Sequence, residues 1–245
     1  MSALLAQFRV ECTLTLRNKE SLLLTLGIPV GLLVFFSLVD VLPIDAADPV
    51  DVLAPGVLAL AIMSMSMTGL AIATGFERSY GVLKRLGTTP LGRPRLLAAK
   101  IAGVVAIEVI QAAVLVPVAI LLGWRPSLSL LPLVGAVVLG TTAFAGLGLW
   151  MAGTLRAEIT LALANGLYLV FLLLGGFLIP LEEFPGPLRT AARALPGSAL
   201  TDLVTAAFAG AGATAPGRAW AVLALWAIAT PAVAAATFRW SPNRN

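Results

Sequence analysis

Inside the apolar run AAKIAGVVAIEVIQAAVLVPVAILL (98–122) stand one carboxylate and one amide, Glu108 and Gln111, a helical turn apart. An acid that deep in a hydrocarbon layer costs about 2.5–3.5 kcal/mol even on the mildest scale, so it marks a partner or a site. Two readings stay open. Glu108 either hydrogen-bonds across to another helix, or lines a polar path and receives a cationic substrate. A proton relay is weak, because no second buried acid could take the proton onward. Asn165 and Tyr168 raise the same choice in the run ITLALANGLYLVFLLLGGFLIP (159–180). The alternation Met63, Ser64, Met65, Ser66, Met67 offers polarizable side chains to a permissive surface, or simply packs. The adjacent pair Glu182 and Glu183 reads as solvated charge at a helix end.

Much chemistry is excluded outright. The chain has no histidine and a single cysteine, Cys12, so imidazole catalysis, Cys-based zinc clusters and internal disulfides are all ruled out. It carries no Gly-x-x-x-x-Gly-Lys-Ser/Thr phosphate loop. No catalytic residues and no bound cofactor are expected of it.

The elements that hold these residues follow from length and apolarity. Hydrophobic residues make up 59% of the 245, well above a soluble domain. Six runs reach the roughly 20 residues needed to cross a bilayer: 21–42, 52–74, 98–122, 128–153, 159–180 and 218–238. They are long and uninterrupted, which favours helices over the alternating strands of a barrel. Prolines 29, 55, 117, 132 and 231 lie within them and should kink them. Gly27 and Gly31 form a G-x-x-x-G that allows close helix approach.

Charge sets the orientation. Counted over alternate loops, twelve of the basic residues fall on one side and four on the other. That bias places both termini in the cytoplasm, together with the loop GFERSYGVLKRLGTTPLGRPR (75–95). The net charge of +4 therefore points to lipid rather than nucleic acid. Residues 1–20 suit an amphipathic helix in the interface, or a frayed polar leader, and lack the order of a signal peptide. Residues 181–217 are too apolar for a free connector and predict two short helices, LRTAARAL and ALTDLVTAAF, that sit in or dip into the outer leaflet.

The basic loop carries a pattern beyond its charge. Phe76, Tyr80, Leu83 and Leu86 or Gly87 recur at helical spacing. Glu77, Arg78, Lys84 and Arg85 surround them, and residues 87–90 end the stripe. A short amphipathic helix at the mouth of a membrane domain is shaped to dock in a groove of a soluble partner. A stand-alone channel or scaffold would explain the spans and the charge bias, but not this stripe.

Phe76-Glu77-Arg78, then residues 81–86 (GVLKRL), 89–91 (TPL) and 96–100 (LLAAK), resemble the cytoplasmic loop of ABC-2 type permeases, the membrane subunits of one exporter family. Residues 175–180 (GGFLIP), with Phe184-Pro185, Leu188-Arg189 and Leu195-Pro196, are similar to that family's segment after the fifth helix. The similarity covers essentially the whole chain and is strongest to short bacterial permeases associated with drug or lipid export. It implies an all-α integral membrane protein with six transmembrane helices, an N-terminal interfacial helix, a cytoplasmic coupling helix and short re-entrant helices between helices five and six. The single domain would divide at 1–20, 21–74, 75–97, 98–180, 181–217 and 218–245. The implied partners are a second permease, identical or not, two copies of an ATPase subunit that binds ATP and Mg, and membrane lipids. The coupling interface would comprise Phe76, Glu77, Arg78, Tyr80, Gly81, Leu83, Lys84, Arg85 and Leu86. The substrate pathway would comprise Met63, Met67, Glu108, Gln111, Asn165 and Tyr168, and the external gate Phe177, Pro180, Phe184 and Pro196. The implied location is the bacterial cytoplasmic membrane.

Overall fold

A computed structural model describes residues 3–17, 19–39, 48–86, 93–210 and 213–240. Among the described residues there is no strand, only helices and one isolated bridge between Ser127 and Ala209. In chain order the helices are α1 (Ala3–Arg17) and α2 (Lys19–Leu38), then α3 (Pro49–Ser79). Next come the short α4 (Val82–Leu86) and α5 (Arg93–Leu121). They are followed by α6 (Leu130–Thr154) and α7 (Ala157–Leu174). A short pair, α8 (Gly186–Ala192) and α9 (Pro196–Phe208), precedes α10 (Gly217–Thr237).

Five helices, α3, α5, α6, α7 and α10, are long and apolar enough to cross a membrane. The expected first span, 21–42, gives a shorter apolar helix, Thr25–Leu38, and residues 40–47 lie outside the described ones. Several boundaries differ from the sequence reading, and α5 already begins at Arg93 rather than 98. Helix α3 does not stop at 74 but runs on to Ser79, taking in Phe76, Glu77 and Arg78. The fifth expected span does not reach 180. Helix α7 ends at Leu174, where Gly175 caps it and Gly176, at φ +72°, turns the chain out of helical geometry.

Helix α3 is the middle of the bundle and touches α2, α5, α6, α7 and α9. Its residues 53–63 are all buried. It starts cleanly because Asp48 is extended and Pro49 occupies the first turn, where a missing N–H costs nothing. Mid-helix, residues 64–69 widen into a π-turn, with the Leu70 N–H reaching back to the Met65 carbonyl. Helices α6 and α10 also pack extensively against each other. There the Thr230 hydroxyl donates to the Ala143 carbonyl at 2.7 Å, a short polar link between two apolar faces. Helices α8 and α9 match the two short helices expected in 181–217. Helix α9 packs against α3, α6 and α10, with Leu200 and Leu203 fully buried.

Proline has one consequence that reaches the polar residues. Pro29 cannot donate to the carbonyl four residues back, which leaves Thr25 O unpaired within α2. The Gln111 amide of α5 donates to that oxygen at 3.1 Å.

Candidate functional site

Three places bring functional side chains together, beginning at the basic end of the bundle. The Arg78 guanidinium, buried at the end of α3, donates to Gly153 O at 2.6 Å, to Leu155 O, and to Arg239 O at 3.4 Å. Gly153 lies in the last turn of α6 and Leu155 caps it, so these are carbonyls without a helical partner. Arg78 is therefore the cap that fastens α3 to α6 and to the segment following α10. Beside it, the buried Lys100 Nζ lies 2.7 Å from Glu77 Oε2 and 3.2 Å from Glu11 Oε1. One ammonium thereby joins α1, α3 and α5. Helix α1 approaches closely enough that a Cβ at Gly103 would lie 3.2 Å from the Glu11 Cβ.

The expected amphipathic helix over 76–87 is two pieces. Gly81 adopts φ +73°, ends α3 and restarts the chain as α4, so the i, i+4, i+7 register does not carry across it. Phe76 and Tyr80 stay on the end of α3, with ring centroids 6.1 Å apart, and Tyr80 is 72% exposed. Leu83 turns inward instead, packing with Leu86, Leu96, Phe238 and Trp240. The surface left outward is Tyr80, Val82, Lys84 and Arg85. Arg78 and Leu83 lie buried, and Glu77 half-buried, behind it. The expected stop at 87–90 and the 89–91 motif lie outside the described residues.

The expected substrate pathway divides as well. The buried Glu108 accepts a hydrogen bond from the Thr141 hydroxyl of α6 at 2.8 Å. With Gln111 committed to Thr25, these two polar groups bridge α5 to its neighbours. Met63 and Met67 are fully buried core residues. Asn165 and Tyr168 do meet at a cavity, and neither Glu108 nor Gln111 belongs to its wall. It has a volume of about 300 Å³, lies between α2, α3 and α7, and is also lined by Thr25, Ser64, Met65 and Thr68. The residues of the methionine run alternate in role because Met63 and Met67 are one turn apart, while Met65 points to the opposite side.

At the opposite end a second cavity of about 450 Å³ has Asp51, Pro180, Glu182 and Asp202 in its wall. Arg218 Nη2 lies 2.6 Å from Asp202 Oδ2, and Arg218 Nη1 donates to Arg193 O at 2.7 Å. Burial pushes the Asp202 carboxyl above the usual range, while Arg218 pulls it back down. Of the four expected gate residues, only Pro180 lines this cavity. Phe177 is buried, with its backbone so close to α3 that a Cβ at Gly56 would collide with its carbonyl. Pro196 is buried in the first turn of α9, and the Phe184 carbonyl accepts from Arg189 Nε at 3.2 Å.

Sequence reasoning missed Glu11, Lys100 and Thr141 as site partners. Lys100 was readable in principle, since a lysine within an apolar run requires a counter-charge. Thr141 and Glu11 sit on other helices at spacings that only packing reveals.

No curated protein matches this chain. Residues 3–209 match the ABC-2 type transporter family, a stretch that takes in every helix from α1 to α9. The chain belongs to the ABC-2 type transporter family, as a membrane-embedded transport component.

Proposed function

We propose that this chain is the permease subunit of an ATP-driven exporter in the bacterial cytoplasmic membrane. It moves a hydrophobic or amphiphilic substrate, drug-like or lipid, outward. In this reading α2 is the sixth span, both termini are cytoplasmic, and two copies of a separate ATPase subunit bind ATP and Mg. The observation that carries it is the build of the basic end. Residues 80–85 present Tyr80, Val82, Lys84 and Arg85 outward, on a base held by Arg78, Lys100 and the Leu83 cluster. A rigid, charged, outward element at the ends of several helices is what a soluble motor needs in order to push on the membrane domain.

A second permease is supported by α2, where Gly27 and Gly31 are exposed and a Cβ on either would meet nothing. Small residues left open on a helix face admit a close-packed neighbouring helix. The substrate pathway is the cavity between α2, α3 and α7, which a second copy packed on α2 would close over. The outer exit is the cavity walled by Pro180 and Asp202.

The test is reconstitution with the ATPase that co-purifies with the tagged chain. Reversing the exposed Lys84 and Arg85 to glutamate should lower transport per ATP hydrolysed, with the melting temperature of the variant as the control for folding. A chain that brings down no ATPase, or a reversal that leaves coupled transport unchanged, overturns the proposal.

A further inference from the structure

We infer that the cavity between α2, α3 and α7 takes an uncharged amphiphile bearing hydroxyl or carbonyl groups. This rests on that cavity being the transport path. The polar residues of its wall are Thr25, Ser64, Thr68, Asn165 and Tyr168, all of them neutral. No Asp, Glu, Lys or Arg is among the described residues lining it. A cation or anion entering would leave water without meeting a counter-charge, which is costly in a low-dielectric layer.

The acid in the middle of α5 cannot supply that charge. Glu108 is 6% exposed and is engaged by Thr141 of α6, away from this wall. Gln111, a turn along, is committed to the carbonyl that Pro29 frees. Nor does the single ring of Tyr168 make the aromatic cage that quaternary ammonium groups use.

The wall does offer hydrogen bonds. Thr68, a residue of this wall, has a buried hydroxyl without a partner, an unmet hydrogen bond beside the cavity. Asn165 turns its Nδ2 back to Leu161 O at 2.9 Å, so its amide oxygen is the group left to accept from a ligand. Ile28, Met65 and Ile72 flank these groups and match an alkyl chain. Neutral donors and acceptors beside an apolar strip describe a sugar- or polyol-headed lipid better than a cationic drug.

Three photoreactive probes test this in the full chain in nanodiscs. They share one dodecyl chain and carry a glucoside, a trimethylammonium or a sulfate headgroup. Labelling of residues 60–75 and 160–170 is compared with residues 225–233 of α10, whose Leu225 and Ile228 are exposed outside the cavity. The glucoside should label the two cavity segments at least about tenfold more than either charged probe, an apparent difference of about 1.4 kcal/mol. Thr68→Val and Asn165→Leu should each reduce that labelling several-fold, and Asn165→Asp should shift preference to trimethylammonium. Labelling of the cavity by a charged probe at the glucoside's level overturns the inference and leaves the pathway standing. No labelling above the α10 control by any probe, unchanged in Asn165→Asp, overturns the pathway as well.

Discussion

Gln111 shows how one side chain can answer a backbone defect in another helix. Pro29 removes the N–H that would close on Thr25 O, and the amide of Gln111 replaces it at 3.1 Å. If this is why the amide is there, its value depends on the proline. Gln111→Leu should cost about 1 kcal/mol in the native sequence, in the range measured for hydrogen bonds between membrane helices. In a Pro29→Ala background the backbone regains an N–H that closes on Thr25 O within α2, and the same change should cost almost nothing. Unfolding in mixed micelles gives the cycle directly, and equal costs in the two backgrounds would rule out this account. The sequence made Glu108 and Gln111 conspicuous because polar residues in apolar runs are locally visible. It could not say which side they faced, since Thr141 and Thr25 lie on other helices.

At the scale of elements, the basic end is a latch. Lys100 faces two carboxylates from two different helices, so its removal leaves Glu11 and Glu77 without their shared ammonium in a half-buried place. Lys100→Met should destabilise the chain by about 3–5 kcal/mol and loosen α1 from α5, seen as faster amide exchange across residues 5–13. Adding Glu11→Gln and Glu77→Gln should recover most of the loss, because the penalty lies in the unpaired charge and not in the missing methylene packing. Persistence of the full loss in the triple variant would count against that cause. Gly81 is the turn beside the latch. A Cβ there meets nothing, so the constraint is its φ of +73° alone. Gly81→Ala should therefore cost about 1 kcal/mol through backbone strain, and Gly81→Leu little more. A steep rise with side-chain size in thermal shift would show a hidden clash instead. The stripe of Phe76, Tyr80 and Leu83 suggested one docking helix because spacing alone cannot register a left-handed residue between its members.

Over the whole molecule, the two ends of the bundle carry different charge chemistry. Apolar length made the interior legible: the five spanning helices start within about five residues of where hydrophobic runs place them, because burial in lipid is read locally. The ends were not legible, because tertiary partners set them. Arg78 in its ring of carbonyls holds the last turn of α3 helical to Ser79, and Phe177 packed on Gly56 accompanies the early end of α7. The basic end relies on the guanidinium of Arg78 and the ammonium of Lys100. The opposite end centres on Asp202, whose native carboxyl is raised by burial and by Glu182, and lowered by Arg218 and Arg193. Because the raised value wins, the folded chain holds the Asp202 proton more tightly than the unfolded chain does. Asp202 therefore favours the fold most below its ordinary value near pH 4, and this advantage is lost as pH rises through the raised one. Melting temperatures of the native chain should fall relative to those of Asp202→Asn as pH climbs from about 4, with the difference levelling off once Asp202 is ionised in both states. A difference that runs the other way would mean that Arg218 outweighs desolvation and that the pair at 2.6 Å is a net clamp on the outer cavity.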